Sequence, residues 1–208
     1  MSTSLFGPIF LIIANMETLS KLFGSEAKVK VMRLFLFNPD HIFDTADIAD
    51  RVKSDINRVR KEVGVLEKAG LVKSRTPARL GNKKGYVLDT HFAYLLPLQN
   101  FLINAEPLHP KEITKKIVKL GTIKLILVAG VFIQEGESRA DLLIVGDHVK
   151  KVALENTIKT LESEIGKELR YAYFTTEDFQ YRLSMCDKLI RDILDYPHKK
   201  IVNKLGTL

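Results

Sequence analysis

The sequence predicts an α+β protein built as two units of different pattern. The first is a run of short helices closed by a basic hairpin, and the second alternates strands and helices. Three observations carry this. The chain has 208 residues, more than one small domain needs and enough for two. The pattern changes at 104–110, a polar stretch with two prolines. And the charge is local. The formal net charge is +7, yet residues 1–50 hold 4 basic and 6 acidic residues and 85–208 hold 17 and 16. Residues 51–84 hold 11 and 3, so the whole excess lies in one segment. With 46% hydrophobic residues the chain can bury cores and is not of disordered composition. The expected divisions are an apolar extension over 1–20, a first domain over 21–104 and a second over 105–208.

At the N-terminus, 5–14 is an apolar run broken by Pro8, too short to span a bilayer and without the preceding Lys or Arg of a secretory signal. A cytoplasmic chain with no membrane contact is expected. Apolar residues at 29, 31, 32, 35 and 36 make a helical stripe over 26–37, stopped by Asn38-Pro39-Asp40. Asp44, with Asp47 three residues on, caps a short helix over 45–52. Ser54 is the expected cap of a third helix running to Ala69, with Ile56, Val59, Val63 and Leu66 inward and Gly70 in the left-handed position past its end. Two short β-like runs, 71–74 and 85–88, flank a basic loop containing Pro77 and Gly81 and predict a hairpin. A helix over 92–103 follows.

Beyond the linker the expected elements are a helix over 112–120 ended by Gly121, strands at 123–128 and 141–145, and a helix over 149–165. A strand at 169–174 and a helix from the Thr175 cap through Leu194 complete the series, before a short apolar end at Ile201-Val202. Cys186, the one cysteine, excludes an intramolecular disulfide and is expected as an inert, partly buried thiol in that last helix. Five scattered histidines offer no metal-ligand spacing, so no metal or other cofactor is expected.

With Ile56, Val59, Val63 and Leu66 inward, Asp55, Asn57, Arg58 and Lys61 face outward near a helix N-terminus. Arg can grip guanine O6 and N7, and Asn can pair with adenine N6 and N7. Arg60, Lys73 and Arg75, with Arg79, Lys83 and Lys84 in the hairpin loop, suit phosphates, and Ser54 at the helix start is a further candidate DNA-binding residue. About six such contacts would lower affinity on the order of a thousandfold between about 50 and 200 mM salt. Asp55 would repel phosphate unless it caps the helix. Short helix, tight turn, longer helix and basic hairpin, with Asp44-Thr45-Ala46-Asp47-Ile48-Ala49 and Leu66-Glu67-Lys68-Ala69-Gly70-Leu71-Val72, resemble a winged helix-turn-helix domain over roughly 25–103. The resemblance implies double-stranded DNA as partner. It also implies a homodimer on two half-sites, with the apolar N-terminus and helix 92–103 as candidate contact surfaces.

The segments 125–132, 136–146 and 171–179 resemble the small nucleotidyltransferase fold, whose members carry Gly-Ser after the first strand and Asp-x-Asp at the start of the second. Here Gly130 is followed by Val131, Asp141 takes the second carboxylate position and Arg139 stands at the first. Two carboxylates at i and i+2 lie ~6.6 Å apart on one strand face and can share cations that clamp phosphates. One Asp beside an Arg cannot. Glu137 would sit ~13 Å away on an extended chain, and only a curled loop would bring it back. The domain is therefore expected to lack transferase activity and to serve dimerisation or ligand sensing. Arg139 is either solvated or paired to Asp141, or else its guanidinium stands in the vacated metal position and holds a phosphate-bearing ligand. Gly130, Ser138, Arg139 and Asp141 are the candidate ligand residues; Lys150 and Lys151 are expected on a solvated face. The leading expectation is a DNA-binding transcriptional regulator. The alternatives are an active nucleotidyltransferase acting on protein or RNA, and an antitoxin-like protein partner.

Overall fold

A computed structural model describes residues 16–76, 83–103, 108, 110–136 and 138–206. The apolar run at 5–14, Arg79 and Glu137 lie outside the described residues, as does most of the linker.

The first half runs α1 (Met16–Phe23), α2 (Glu26–Phe37), β1 (Phe43–Asp44), α3 (Thr45–Val52), α4 (Ile56–Lys68), β2 (Val72–Arg75), β3 (Gly85–Leu88) and α5 (Leu95–Leu102). Its three strands pair antiparallel in the order β1-β3-β2, with Phe43 opposite Tyr86 and Val72 opposite Leu88. The core gathers Leu19, Phe35, Phe43, Ile48, Val59, Val63, Leu66, Leu71 and Leu102. Leu19 places α1, which starts at Met16, five residues before 21, in this core.

Local chemistry sets most of these elements. Asp44 closes a capping box on α3: its carboxylate accepts from Ala46 and Asp47 N–H, and Asp47 accepts from the Asp44 N–H. Asp44→Ala is expected to cost about 1 kcal/mol, read as a lowered urea midpoint with unchanged slope. Capping of α4 differs from expectation. The cap is Asp55, not Ser54; the Asp55 carboxylate accepts from Asn57 N at 2.9 Å and Arg58 N at 3.2 Å. Helix 92–103 shortens to α5, with Pro97 in its first turn, where no amide bond is lost.

α2 departs furthest from its expected stripe. Every residue from Val29 to Leu36 is buried, including Lys30 and Arg33. A helix buried all round needs neighbours on all sides. α1, α3 and α4 supply one side, and a helix of the second half, α7, supplies the other.

That half contains α6 (Pro110–Ile117) continued by a 3₁₀ turn, β4 (Thr122–Val128), β5 (Leu142–Asp147), α7 (Lys151–Ile165), β6 (Tyr171–Phe174), α8 (Thr176–Ser184), α9 (Lys188–Asp195) and β7 (Lys199–Asn203). The sheet order is β6-β5-β4-β7; β5 and β6 are parallel across the α7 crossover, and the other pairs are antiparallel. Alternation splits the strands between two cores. Ile126, Val128, Leu142 and Ile144 face α6 and α7. Leu125, Leu127, Leu143 and Val145 face α8 and α9. A bulge between Ile123 and Leu125 puts Ile123 on the same face as Ile126.

The expected helix from Thr175 through Leu194 is two. Thr175 caps α8 as expected, but Cys186 takes φ +52° and Asp187 caps α9 by accepting from Leu189 and Ile190 N–H. Cys186 is therefore exposed in a left-handed turn rather than partly buried in a helix. Among the described residues, no helix is long and apolar enough to cross a membrane.

The halves are fastened through α2. Arg33 donates from Nε to the Leu102 carbonyl at 3.1 Å and from Nη1 to the Glu164 carbonyl at 2.8 Å. Burial brings its guanidinium pKa down to about 10, while Glu164 and Glu112 resist that fall. Asn38 Nδ2 donates to the Gly166 carbonyl at 2.9 Å. Gly166, at φ +89°, lies so close to α2 that a Cβ there would sit 2.5 Å from the Arg33 carbonyl carbon.

Candidate functional site

Two groups of residues singled out by the sequence come together in space. The first lies on α4 and the hairpin. Val59, Val63 and Leu66 fix the inward side of α4, with Ile56 half-buried at its start. Glu62 is buried too, held 3.4 Å from Lys28. The opposite side carries Asn57, Arg58, Arg60 and Lys61, all exposed. Asn57 and Arg60 are linked, Arg60 Nη1 donating to Asn57 Oδ1 at 3.2 Å. Asp55 is exposed, and its carboxylate caps the first free N–H groups of the helix.

The hairpin cations divide into two kinds. Arg75 and Lys83 are exposed and make no ion pair among the described residues. Lys73 reaches Asp89 at 3.1 Å, and Lys84 reaches Glu67 at 3.2 Å with its ammonium 4.8 Å over the Tyr86 ring. The His91 backbone N–H and Lys73 together lower the Asp89 carboxyl pKa; Tyr86 and then Glu67 raise that of Lys84. These two lysines brace the hairpin against the body, and a phosphate would have to share them. Ser54 is half-buried beside the turn, its N–H donating to the Ala49 carbonyl.

The second group surrounds Asp141, immediately before β5. Gly130 takes φ +50° and its N–H donates to Ser138 Oγ at 3.1 Å. Asp141 is buried, and the ideal Cβ position on Gly130 lies 2.0 Å from Asp141 Oδ1, so only glycine fits there. The pairing of Asp141 differs from expectation. Arg139 points away, its Nε 3.5 Å from Asp192, and is well exposed. The guanidinium on Asp141 belongs to Arg170: Nε lies 3.2 Å from Oδ2 and Nη2 3.2 Å from Oδ1. The carboxylate also accepts the Val131 N–H at 3.0 Å and the Arg170 N–H at 2.9 Å.

Four donors thus occupy the two oxygens. The parallel register explains this, since Leu142 faces Tyr171 and the residues just before them, Asp141 and Arg170, meet at the strand entrance. A carboxylate so engaged is a structural clasp, and a cation would have to displace an arginine to use it. Among the described residues no group of three or more His, Cys, Asp or Glu side chains converges to hold a metal ion. Sequence reasoning missed Arg170; its one signal was a lone arginine opening a β-rich run.

No known protein family, curated protein or solved structure matches the chain.

Proposed function

We propose that the protein is a sequence-specific DNA-binding regulator. Its first half would be a winged helix-turn-helix reader, and its second a nucleotidyltransferase-like domain without transfer chemistry that serves dimerisation or ligand sensing in the cytoplasm. The observation that carries this is the outward row on the first two turns of α4. Asn57, Arg58 and Lys61 stand exposed opposite a packed core face, flanked by Arg75 and Lys83 on the hairpin. A helix end of that kind fits a major groove, and the hairpin cations fit the adjoining backbone. The order helix, short strand, helix, helix, hairpin supports the same reading. The Asp141–Arg170 clasp supports a second half that does not hold catalytic cations. Leu22 on α1, Leu96 and Phe101 on α5 and Tyr94 just before α5, all large and exposed, support a homodimer contact there.

Fluorescence anisotropy tests the reading, with a duplex from the protein's own upstream region against a scrambled one, at about 50 and 200 mM salt. A preference that survives the higher salt is expected. Arg58→Ala and Lys61→Ala should each cost roughly 1–3 kcal/mol if they read bases. No binding at either salt, to this duplex or to any selected from a random pool, overturns it.

A further inference from the structure

A cavity of about 380 Å³ opens where the two halves meet, between α3 and α7. That volume falls among small-molecule pockets, about 300–1,000 Å³. Its floor is formed by Leu34, Val52 and Ser163, all buried, and by Gly166. Its rim is charged, and the charges are not balanced. Glu168 is taken by Arg51 at 2.9 Å. Glu162 accepts the Leu169 N–H at 2.8 Å; burial, its largest influence, raises its pKa, while that bond and the nearby Arg51 and Lys159 act to lower it. Asp50 is the third acid on the wall, which with Arg51 carries four cations in all. Lys53, Lys159 and Lys167 are all exposed at the rim. None of the three makes an ion pair among the described residues, and the Lys167 ammonium lies 6.0 Å over the Phe37 ring.

We propose that this cavity binds a small, multiply charged anion bearing phosphate or carboxylate groups. Its apolar part would rest on Leu34 and Val52, and its charge would be met by Lys53, Lys159 and Lys167. Lys53, at φ +49°, is the left-handed residue that ends α3 two positions before the Asp55 cap of α4. A bound anion thus touches the turn that aims α4, and bridges it to α7. The proposal names a ligand class for the sensing role given to the second half above. The binding itself is measured without DNA, so its failure and that of the DNA reading are separate results.

The test is calorimetric titration of the full chain with ADP and, separately, with citrate, in the absence of DNA. Saturable one-site binding of at least one is expected, ADP pointing to a phosphate source and citrate to a carboxylate one. Lys159→Ala/Lys167→Ala should weaken it by about tenfold or more and leave the unliganded Tm unchanged. Asn156→Trp, which fills the cavity from α7, should abolish it. No saturable binding of either anion overturns the proposal. So does binding that these variants leave intact and Arg58→Ala/Lys61→Ala removes, which would place the anion on the α4 face.

Discussion

Asp141→Ala is expected to destabilise the protein by about 3 kcal/mol, with little of that loss traceable to the ion pair itself. The Arg170 guanidinium is half-exposed and water can take over its donors. The Val131 and Arg170 backbone N–H groups lose their acceptor at the entrance to β5 and β6, and each such orphan costs about 1–3 kcal/mol. Arg170→Met leaves the buried carboxylate its two backbone donors and should cost less, about 1–2 kcal/mol. Asp141→Asn keeps an acceptor and should fall between wild type and alanine. Urea unfolding followed by far-UV circular dichroism orders the three. If Asp141 were instead kept as a cation ligand, its replacement would leave the urea midpoint unchanged and abolish stabilisation by added Mg²⁺ or Mn²⁺.

Gly166→Ala is the second large loss, and its cause is different. The residue ends α7 at φ +89°, a conformation that costs a residue with a Cβ about 1–2 kcal/mol. The added carbon would also lie 2.5 Å from one backbone atom of α2 and 2.6 Å from the next. Backbone cannot rotate aside as a side chain can, so α7 must back away from α2. That stretches the Asn38 bond to the Gly166 carbonyl and the Arg33 bond to the Glu164 carbonyl. A total of about 3–5 kcal/mol is expected, since overpacking and strain add. Gly166→Asn, which tolerates the left-handed region but brings the same Cβ, should be nearly as damaging. A thermal melt of each, beside Gly70→Asn as a left-handed position with open space around it, separates clash from conformation.

What could be read from the sequence is mostly what short-range chemistry decides. The Asp44 capping box, the Gly70 turn and the Thr175 cap each involve partners two to four residues apart, and each stands where expected. The exposed row on α4 was legible for the same reason, because the apolar positions of one helix fix what its other side presents. Ser54 and Asp55 are both good caps, and only the tertiary turn after α3 selects the second. The break at Cys186 carried no glycine or proline to announce it; Asp187 was the signal, read as a helix residue and in fact a new start.

Arg170 was illegible for another reason. It meets Asp141 across 29 residues, and that meeting exists only once α7 lays β6 parallel to β5 in one register. The uniform burial of α2 was hidden likewise. A stripe at 29, 31, 32, 35 and 36 specifies one covered side, and the second cover comes from α7, more than a hundred residues on.

Arg33 links the two halves directly. Its guanidinium sits inside the molecule with one carbonyl from each half as its hydrogen-bond partners. Removing 108–208 would leave a first half whose central helix carries an open charged socket beside the bared side of Leu34. Removing the first half would strip the end of α7 of the backbone it is moulded against. The two patterns along the sequence therefore share a buried contact through Arg33 and Gly166. α2 belongs to the first half by sequence and is covered by both halves in the fold.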